Sequence, residues 1–287
     1  MLKASQPTGI HTHGLSTDVL SGLLSRHGRL PRWRDIARYV SPLALVALWQ
    51  GSCSVGILST HLVASPVQII TTAWSLMRDG TLEANLGISL LRAVSGLSIA
   101  LLVGMVLALI SGLSRIGEDI VDAPLQIMRT LPVLALVPLF ILWFGIGETP
   151  KVLLVALGAT FPVYLNFHKG IRTVDPKLLE MAQTLGLSRG QTVRDVVLPA
   201  ALPDLLVGVR YAVGVAWLML VVAEQINAES GIGHMMMDAE DFLRTDIILV
   251  GLMVYGLLGL LSDNLVRGLE TWLLAWRPLS PRRGENA

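Results

Sequence analysis

Apolar residues gather in six long stretches along this chain, near 40–58, 86–112, 120–147, 151–168, 204–224 and 247–267, with polar segments between them. A stretch of about 20 residues crosses a hydrocarbon core as a helix. The pattern therefore predicts an all-α membrane protein with six transmembrane helices. The second stretch holds an uncharged run from Ala93 to Ser114 and is long enough unaided. The third carries Pro124, Pro132 and Pro138 and is expected to break or kink, with its first part near the membrane interface. The fourth and fifth are short or carry a charge near one end, which predicts shielding by neighbouring helices rather than by lipid. Gly104, Ala108 and Gly112 form one small-xxx-small series and Gly208, Ala212 and Ala216 another. Such stripes bring helix backbones close, either within one chain or between two.

The polar segment 169–203 is organised, and it reads as two short helices hinged at a glycine. Asp175 suits an N-cap and Pro176 the first helical position, where a missing N–H costs nothing. Leu178, Met181, Ala182 and Leu185 follow at helical spacing and are expected on one face. Gly186 ends that helix because it enters the left-handed region cheaply. Ser188 and Gln191 have the spacing of a capping box and open a second helix, given an apolar edge by Val193, Val196 and Val197. Pro199 and Pro203 are expected to terminate it. An amphipathic loop resting on the membrane would share these features, but an apolar stripe with a charged rim also suits helix-in-groove docking.

Composition agrees with a membrane protein: 53% of residues are hydrophobic and 15% charged, against about 25% charged in soluble domains. The net charge of +1 gives no reason to expect nucleic acid, but the distribution of charge is informative. Sixteen Lys and Arg residues fall on one side of the six stretches (the N-terminal tail, 113–119, 169–203 and the C-terminal segment). Only Arg78, Lys151 and Arg244 fall on the other. By the positive-inside rule both termini and the 169–203 loop face the cytoplasm. No removable signal peptide is expected at the N-terminus. The single cysteine, Cys53, excludes an internal disulfide and is read as packing. His11 and His13 in the polar tail are too few to suggest a metal site.

Within 169–203, Glu180, Ala182, Gly186, Val196, Leu198 and Pro199 follow the pattern E-x-A-x3-G-x9-[IV]-x-L-P. Average residue usage would produce it in roughly one chain in ten thousand. The pattern resembles the EAA loop of binding-protein-dependent ABC transporter permeases, with Met181 in place of the middle alanine and Val196 in place of isoleucine. The resemblance implies that Glu180, Met181, Ala182, Gly186, Val196, Leu198 and Pro199 form the element that couples to a partner ATPase. Leu142–Gly147, the Ser230-Gly231-Ile232-Gly233 turn and Phe242–Asp246 extend the likeness to roughly residues 40–278, and resemble the branch carrying aliphatic sulfonates, with taurine, nitrate and pyrimidine-precursor relatives. It implies a type I importer permease, with a tail at 1–38, a transmembrane domain at 39–278 and a second tail at 279–287. It implies a multi-pass place in the bacterial inner membrane and a permease homodimer working by alternating access. A periplasmic substrate-binding protein would deliver the solute, and ABC ATPase subunits would bind ATP and Mg in place of any cofactor in this chain.

The residues also exclude some chemistry. No lysine is followed by Ser or Thr after a glycine-rich loop, so there is no Walker A motif, no catalytic residue is assigned and the chain is read as non-enzymatic. No repeat relates the two halves, which weighs against an inverted-repeat secondary transporter. An ion-coupled carrier would want carboxylates at mid-membrane, yet here they sit in loops or at span ends. An intramembrane enzyme would want partners for His61 and His168, and none is evident. The acidic segment 224–246 reads as a solvated loop, with Met235–Met237 touching an outer pore. Arg92 and Arg210 read as snorkelling at span ends. Arg129, Trp217 and Glu224 are candidates for the translocation path, Arg129 for the positive field it would lay along the route of an anion.

Overall fold

In the computed structural model, residues 33–59, 63–226 and 228–276 are described. The basic tail with His11 and His13, His61 and the C-terminal residues 277–287 lie outside them. The chain divides into two units, 1–51 and 52–287. The first contributes most of helix α1 (Trp33–Ser54). The second is all helical in its described residues: α2 (Pro66–Arg78), α3 (Thr81–Leu113), α4 (Arg115–Thr130), a 3-10 turn (Val133–Leu136), α5 (Val137–Phe144) and α6 (Glu148–Arg172). There follow α7 (Pro176–Thr184), α8 (Arg189–Thr192), a π turn (Val193–Val197), α9 (Leu198–Gln225), α10 (Ile232–Asp241) and α11 (Thr245–Leu273).

Among the described residues, four helical segments are long and apolar enough to cross a membrane: Thr81–Leu113, Glu148–Arg172, Arg189–Gln225 and Thr245–Leu273. A fifth candidate is the pair Arg115–Thr130 and Val133–Phe144, bent by 92°. The break expected in the proline-rich stretch falls at Leu131-Pro132, where the pre-proline residue is extended (φ −75°, ψ 130°). Pro124 instead stays inside α4. The first stretch, 40–58, is helical to Ser54, but Arg38 earlier in its helix and Gln50, Ser52 and Ser54 within the stretch dilute it, and it is not among the spans apolar enough to cross.

Helix α6 is the centre of the second unit. Its most apolar window is 67% buried, whereas that of the α8–α9 segment is 28% buried. The expected shielding therefore holds for the fourth stretch and not, within this chain, for the fifth. The small-residue stripes explain how α6 acquires close neighbours on two sides. A Cβ added to Gly96, Gly104 or Gly112 of α3 would meet Val155, Val163 or Ile171 of α6, at 2.6, 2.9 and 2.8 Å. The same sequence offset recurs at all three, so α3 and α6 run parallel in one register. On the other side Gly158 faces Met219, Gly170 faces Asp204 and Gly208 faces Pro162 and Asn166, which makes α9 antiparallel to α6. Ala108, Ala212 and Ala216 are buried in the same seams. Both stripes thus pack inside one chain, a choice that spacing alone leaves open.

The bundle has two ends. Thr81, Glu148, Gln225 and Thr245 lie at one, and Leu113, Arg172, Arg189 and Leu273 at the other. Arg210 of α9, read as snorkelling, is ion-paired to Glu270 and Asp263 of α11.

The glycine seam gives a direct test. Gly104→Leu is expected to overpack α3 against Val163, cost about 1–3 kcal/mol and lower the midpoint of thermal unfolding in detergent by several degrees. Gly256→Leu, where an added Cβ meets nothing within 4 Å, is the control and should leave the midpoint unchanged.

Candidate functional site: a capped polar helix and a buried charge clasp

At the Arg172 end, the loop 173–197 folds much as its cap residues demand. The Asp175 side chain accepts from Lys177 N at 2.9 Å, and Pro176 opens α7. Gly186 takes φ +72°. Leu187 N donates to Ala182 O and Gly186 N to Gln183 O, the two bonds of a Schellman stop. Ser188 and Gln191 form the reciprocal capping box.

Two expectations fail here. Pro199 and Pro203 do not end the second helix, which runs on into α9 as one segment, Arg189–Gln225. The π turn absorbs Pro199: Leu198 N bonds back to Val193 O, a wider register that accommodates a residue without an N–H. Second, the apolar positions of α7 do not share one environment. Ala182 is fully buried, and Leu179 packs with Ala108, Tyr164, Phe167, Ile171, Val197 and Ala201. Leu178, Met181 and Leu185 turn outward, 39%, 50% and 69% exposed. The burial boundary cuts through the stripe, so α7 has an anchored face and a bare apolar face. Glu180 is exposed beside that bare face, Val196 and Leu198 are half-buried, and Pro199 is exposed.

Beneath the loop lies a polar set that spacing does not reveal. Ser111 Oγ and His168 Nδ1 are 2.7 Å apart, His168 stacks on buried Tyr164 at 5.6 Å, and Tyr164 OH donates to Asp122 Oδ1 at 3.0 Å. Arg172 pairs with Glu118. His168 therefore has partners, and they tie α3, α4 and α6 together at this end of the bundle.

At the opposite end is a second constellation. Arg92 is 2% exposed and Glu224 1%. Burying an unpaired charge is costly, so every hydrogen-bonding position must be filled. Arg92 donates through Nε and Nη2 to Glu148, through Nη1 to Glu224 Oε1 (2.8 Å) and Ser230 O (2.7 Å), and through Nη2 to Ser230 Oγ (3.2 Å). Those five bonds match its five N–H groups. Glu224 also accepts from Ser89 Oγ (2.8 Å), Gly233 N (2.9 Å) and Tyr255 OH (2.9 Å). Ser89 in turn accepts from Ile232 N, and Asn85 Oδ1 from Gly231 N. Gly231 sits at φ +110°, and a Cβ there would strike Glu224 and Arg92 at 2.5 and 2.6 Å. The Ser230–Gly233 turn is thus a lid sealed over an ion pair.

The snorkelling reading of Arg92 is overturned, and so is the solvated reading of the acidic segment at two positions. Glu224 lies in the clasp. Asp246 is buried, takes both Arg244 nitrogens (3.0 and 2.9 Å) and accepts from Thr72 Oγ1 at 2.7 Å. That carboxylate holds the Arg244 guanidinium above its ordinary pKa. Met235 and Met236 pack inside their own bundle. Trp217 donates to Ser262 Oγ (3.1 Å) and packs edge-on against Tyr255 (6.3 Å), which links it to Glu224. Arg129 stands apart, exposed at the break after α4. Ser89, Arg92, Glu148 and Tyr255 were missing from the sequence-based site.

A multi-pass helical bundle with a capped, half-anchored polar helix at one end is the plan of a transporter's membrane subunit. Residues 84–274 match the family of binding-protein-dependent transport system inner membrane components, and the chain belongs to it. It is 48% identical over 85% of its length to the protein of Escherichia coli K12 assigned as aliphatic sulfonates transport permease SsuC, covering 92% of that protein. It is 44% identical to the Bacillus subtilis 168 protein of the same assignment, over 82% of this chain and 86% of the other. It is 34% identical to the taurine transport system permease protein TauC of Escherichia coli K12, over 87% and 95%. The fold is shared with a crystal structure of an amino acid ABC transporter (TM-score 0.56, 18% identity, 69% of this chain and 96% of that one). Permeases of this family are non-catalytic, and a partner hydrolyses ATP. Membership sets aside the ion-coupled carrier and the intramembrane enzyme.

The clasp is testable by a double-mutant cycle on thermal unfolding in nanodiscs. Arg92→Met strands a buried carboxylate and is expected to cost about 3–5 kcal/mol. Adding Glu224→Gln should recover part of that loss. Glu148→Gln alone should cost less than about 1 kcal/mol, because more than half of that side chain is exposed.

Proposed function

We propose that this chain is the membrane subunit of an ATP-driven importer of aliphatic sulfonates in the bacterial inner membrane. The observation that carries the mechanism is the bare stripe Leu178–Met181–Leu185 beside Glu180, on a helix whose other face buries Ala182 and packs Leu179 against the cluster around Tyr164 and Val197. An apolar helix face exposed on a polar segment wants a groove in a partner. The matching EAA pattern makes that partner an ABC ATPase. Gly186 and the capping box hold the helix in a fixed pose, so a push on it is passed to the bundle rather than lost in the loop. Val196, Leu198 and Pro199 would transmit it directly, since they lie on the unbroken segment that becomes α9.

Two relatives at 44–48% identity carry the aliphatic sulfonate assignment, and the taurine permease at 34% handles a molecule with the same sulfonate head. These identities favour the sulfonate group over nitrate, to which a relative is only 30% identical. The wider assembly would be two copies of this chain, two ATPase subunits binding ATP and Mg, and a periplasmic binding protein at the Glu148 end. Charge asymmetry supports six spans, with α1 as the first, and both termini in the cytoplasm.

Two experiments test this reading. Gly186→Pro places a residue restricted to negative φ where φ is +72°, and Glu180→Arg reverses the charge beside the stripe. Each is expected to abolish co-purification of the ATPase while leaving the chain inserted in the membrane; retained co-purification with normal uptake would refute the docking role. A cysteine tag appended to the C-terminus should be labelled only after the cytoplasmic side is opened, and labelling in intact cells would overturn the topology.

A further inference from the structure

The broken span sets a charge at an unusual depth. Asp122 of α4 is bonded to Tyr164, and Val121 and Leu125 pack into the cluster around Tyr164, Phe167 and Ile171, in the half of α6 nearer Arg172. Beyond the break, Val133, Phe140 and Ile141 pack on Val137, Leu154 and Ala223, in the half of α6 nearer Glu148. Arg129 and the Leu131-Pro132 bend lie between those levels. They therefore stand close to mid-height on α6, a helix of 25 residues, about 37 Å long. At that depth a guanidinium facing lipid is most expensive. Yet Arg129 is exposed, and no hydrogen bond or ion pair reaches it from any residue whose side chain is described. Two other arginines set within spans contrast with it: Arg92 has Glu148 and Glu224, and Arg210 has Glu270 and Asp263. The interrupted helix beside it is a second sign. Non-helical backbone at membrane depth is tolerated where it is buried in protein or lines a water-filled cavity.

We infer that Arg129 lines the translocation path at its midpoint and pairs with the anionic head of the solute as it passes. A planar guanidinium offers a sulfonate two parallel N–H donors, and at a single site such pairing is weak enough to release. The identity of the anion rests on the sulfonate reading above; the placement of Arg129 in a water-filled path does not.

The complete transporter, with its ATPase and binding protein, is reconstituted in proteoliposomes and given radiolabelled ethanesulfonate. Arg129→Gln is expected to lower initial uptake by about tenfold or more, and Arg129→Lys, which keeps the charge, to stay within about threefold of the parent. In parallel, Arg129→Cys is built on Cys53→Ala, which removes the only other cysteine. A membrane-impermeant anionic methanethiosulfonate should modify it, and ethanesulfonate should slow the reaction. Uptake by Arg129→Gln equal to the parent overturns the inference. So does the absence of labelling in every nucleotide state, which would place the side chain against lipid or packed protein. Dissociation of the permease pair in Arg129→Gln would also overturn it, by making the residue an inter-chain ion pair. If the parent transporter imports another anion and not ethanesulfonate, the sulfonate reading fails, while the labelling arm still decides the position of Arg129.

Discussion

One guanidinium holds five helices in register. Arg92 reaches Glu148 at the start of α6, Glu224 at the end of α9 and Ser230 in the turn before α10, while Glu224 gathers Ser89 of α3 and Tyr255 of α11. In a low-dielectric bundle such a network is all or nothing. With every N–H of Arg92 matched, the ion pair fixes the relative heights of α3, α6 and α9 at one end. Without the buried Glu224, Arg92 would be a buried charge short of acceptors, whereas water can stand in for the exposed Glu148. Gly231 belongs to the same constraint, because its missing side chain leaves room for the lid to close over the charges. The clasp thus confers register more than net stability, which is the best-attested use of buried ion pairs.

From the clasp downward, the α3–α6 seam is a ladder of glycines set against β-branched side chains, with the same offset at each rung. Close-packed seams of this kind are poorly compressible. The α9 side is built likewise. Below the seams, the Ser111–His168 and Tyr164–Asp122 bonds pin α4 to the same block, and Leu179 with Ala182 pins α7. Fixed at one end by charge, along its length by shape and at the other end by the polar set and loop 173–197, the block is suited to move as one body rather than to bend within itself.

What could be read from the chain was local. Asp175, Gly186, Ser188 and Gln191 announce their roles within four residues of their partners, and each behaves as the spacing requires. The break at Leu131-Pro132 is likewise a property of one dipeptide. Arg92 could not be read in this way: its acceptors lie 56 and 132 residues away, and each taken alone looks like an ordinary polar residue near a span end. The only hint was composition, since an arginine 11 positions into a helix that is uncharged from Ala93 onward is costly to leave unpaired. Pro199 and Pro203 misled for a related reason. A proline stops a helix only when the preceding turn cannot widen, and here the chain widens it. The face of α7 was read correctly as apolar, but periodicity cannot tell which half of an apolar stripe the fold will cover.

The apolar surface the chain leaves uncovered is of two kinds, and they differ in what can satisfy them. Leu102, Leu142, Trp143, Leu257 and Leu265 are exposed along candidate spans, where hydrocarbon can cover them at no cost. Leu178, Met181 and Leu185 are exposed on a helix of nine residues outside every candidate span, where no lipid core reaches. Arg129 is the inverse case, a charge where only lipid or a partner would otherwise lie. Neither group is satisfied by the folded chain or by the bilayer alone. On the proposed reading, an ATPase would cover the first and the solute would pair with the second. The close-packed seams between them are the physical link that such a reading would use.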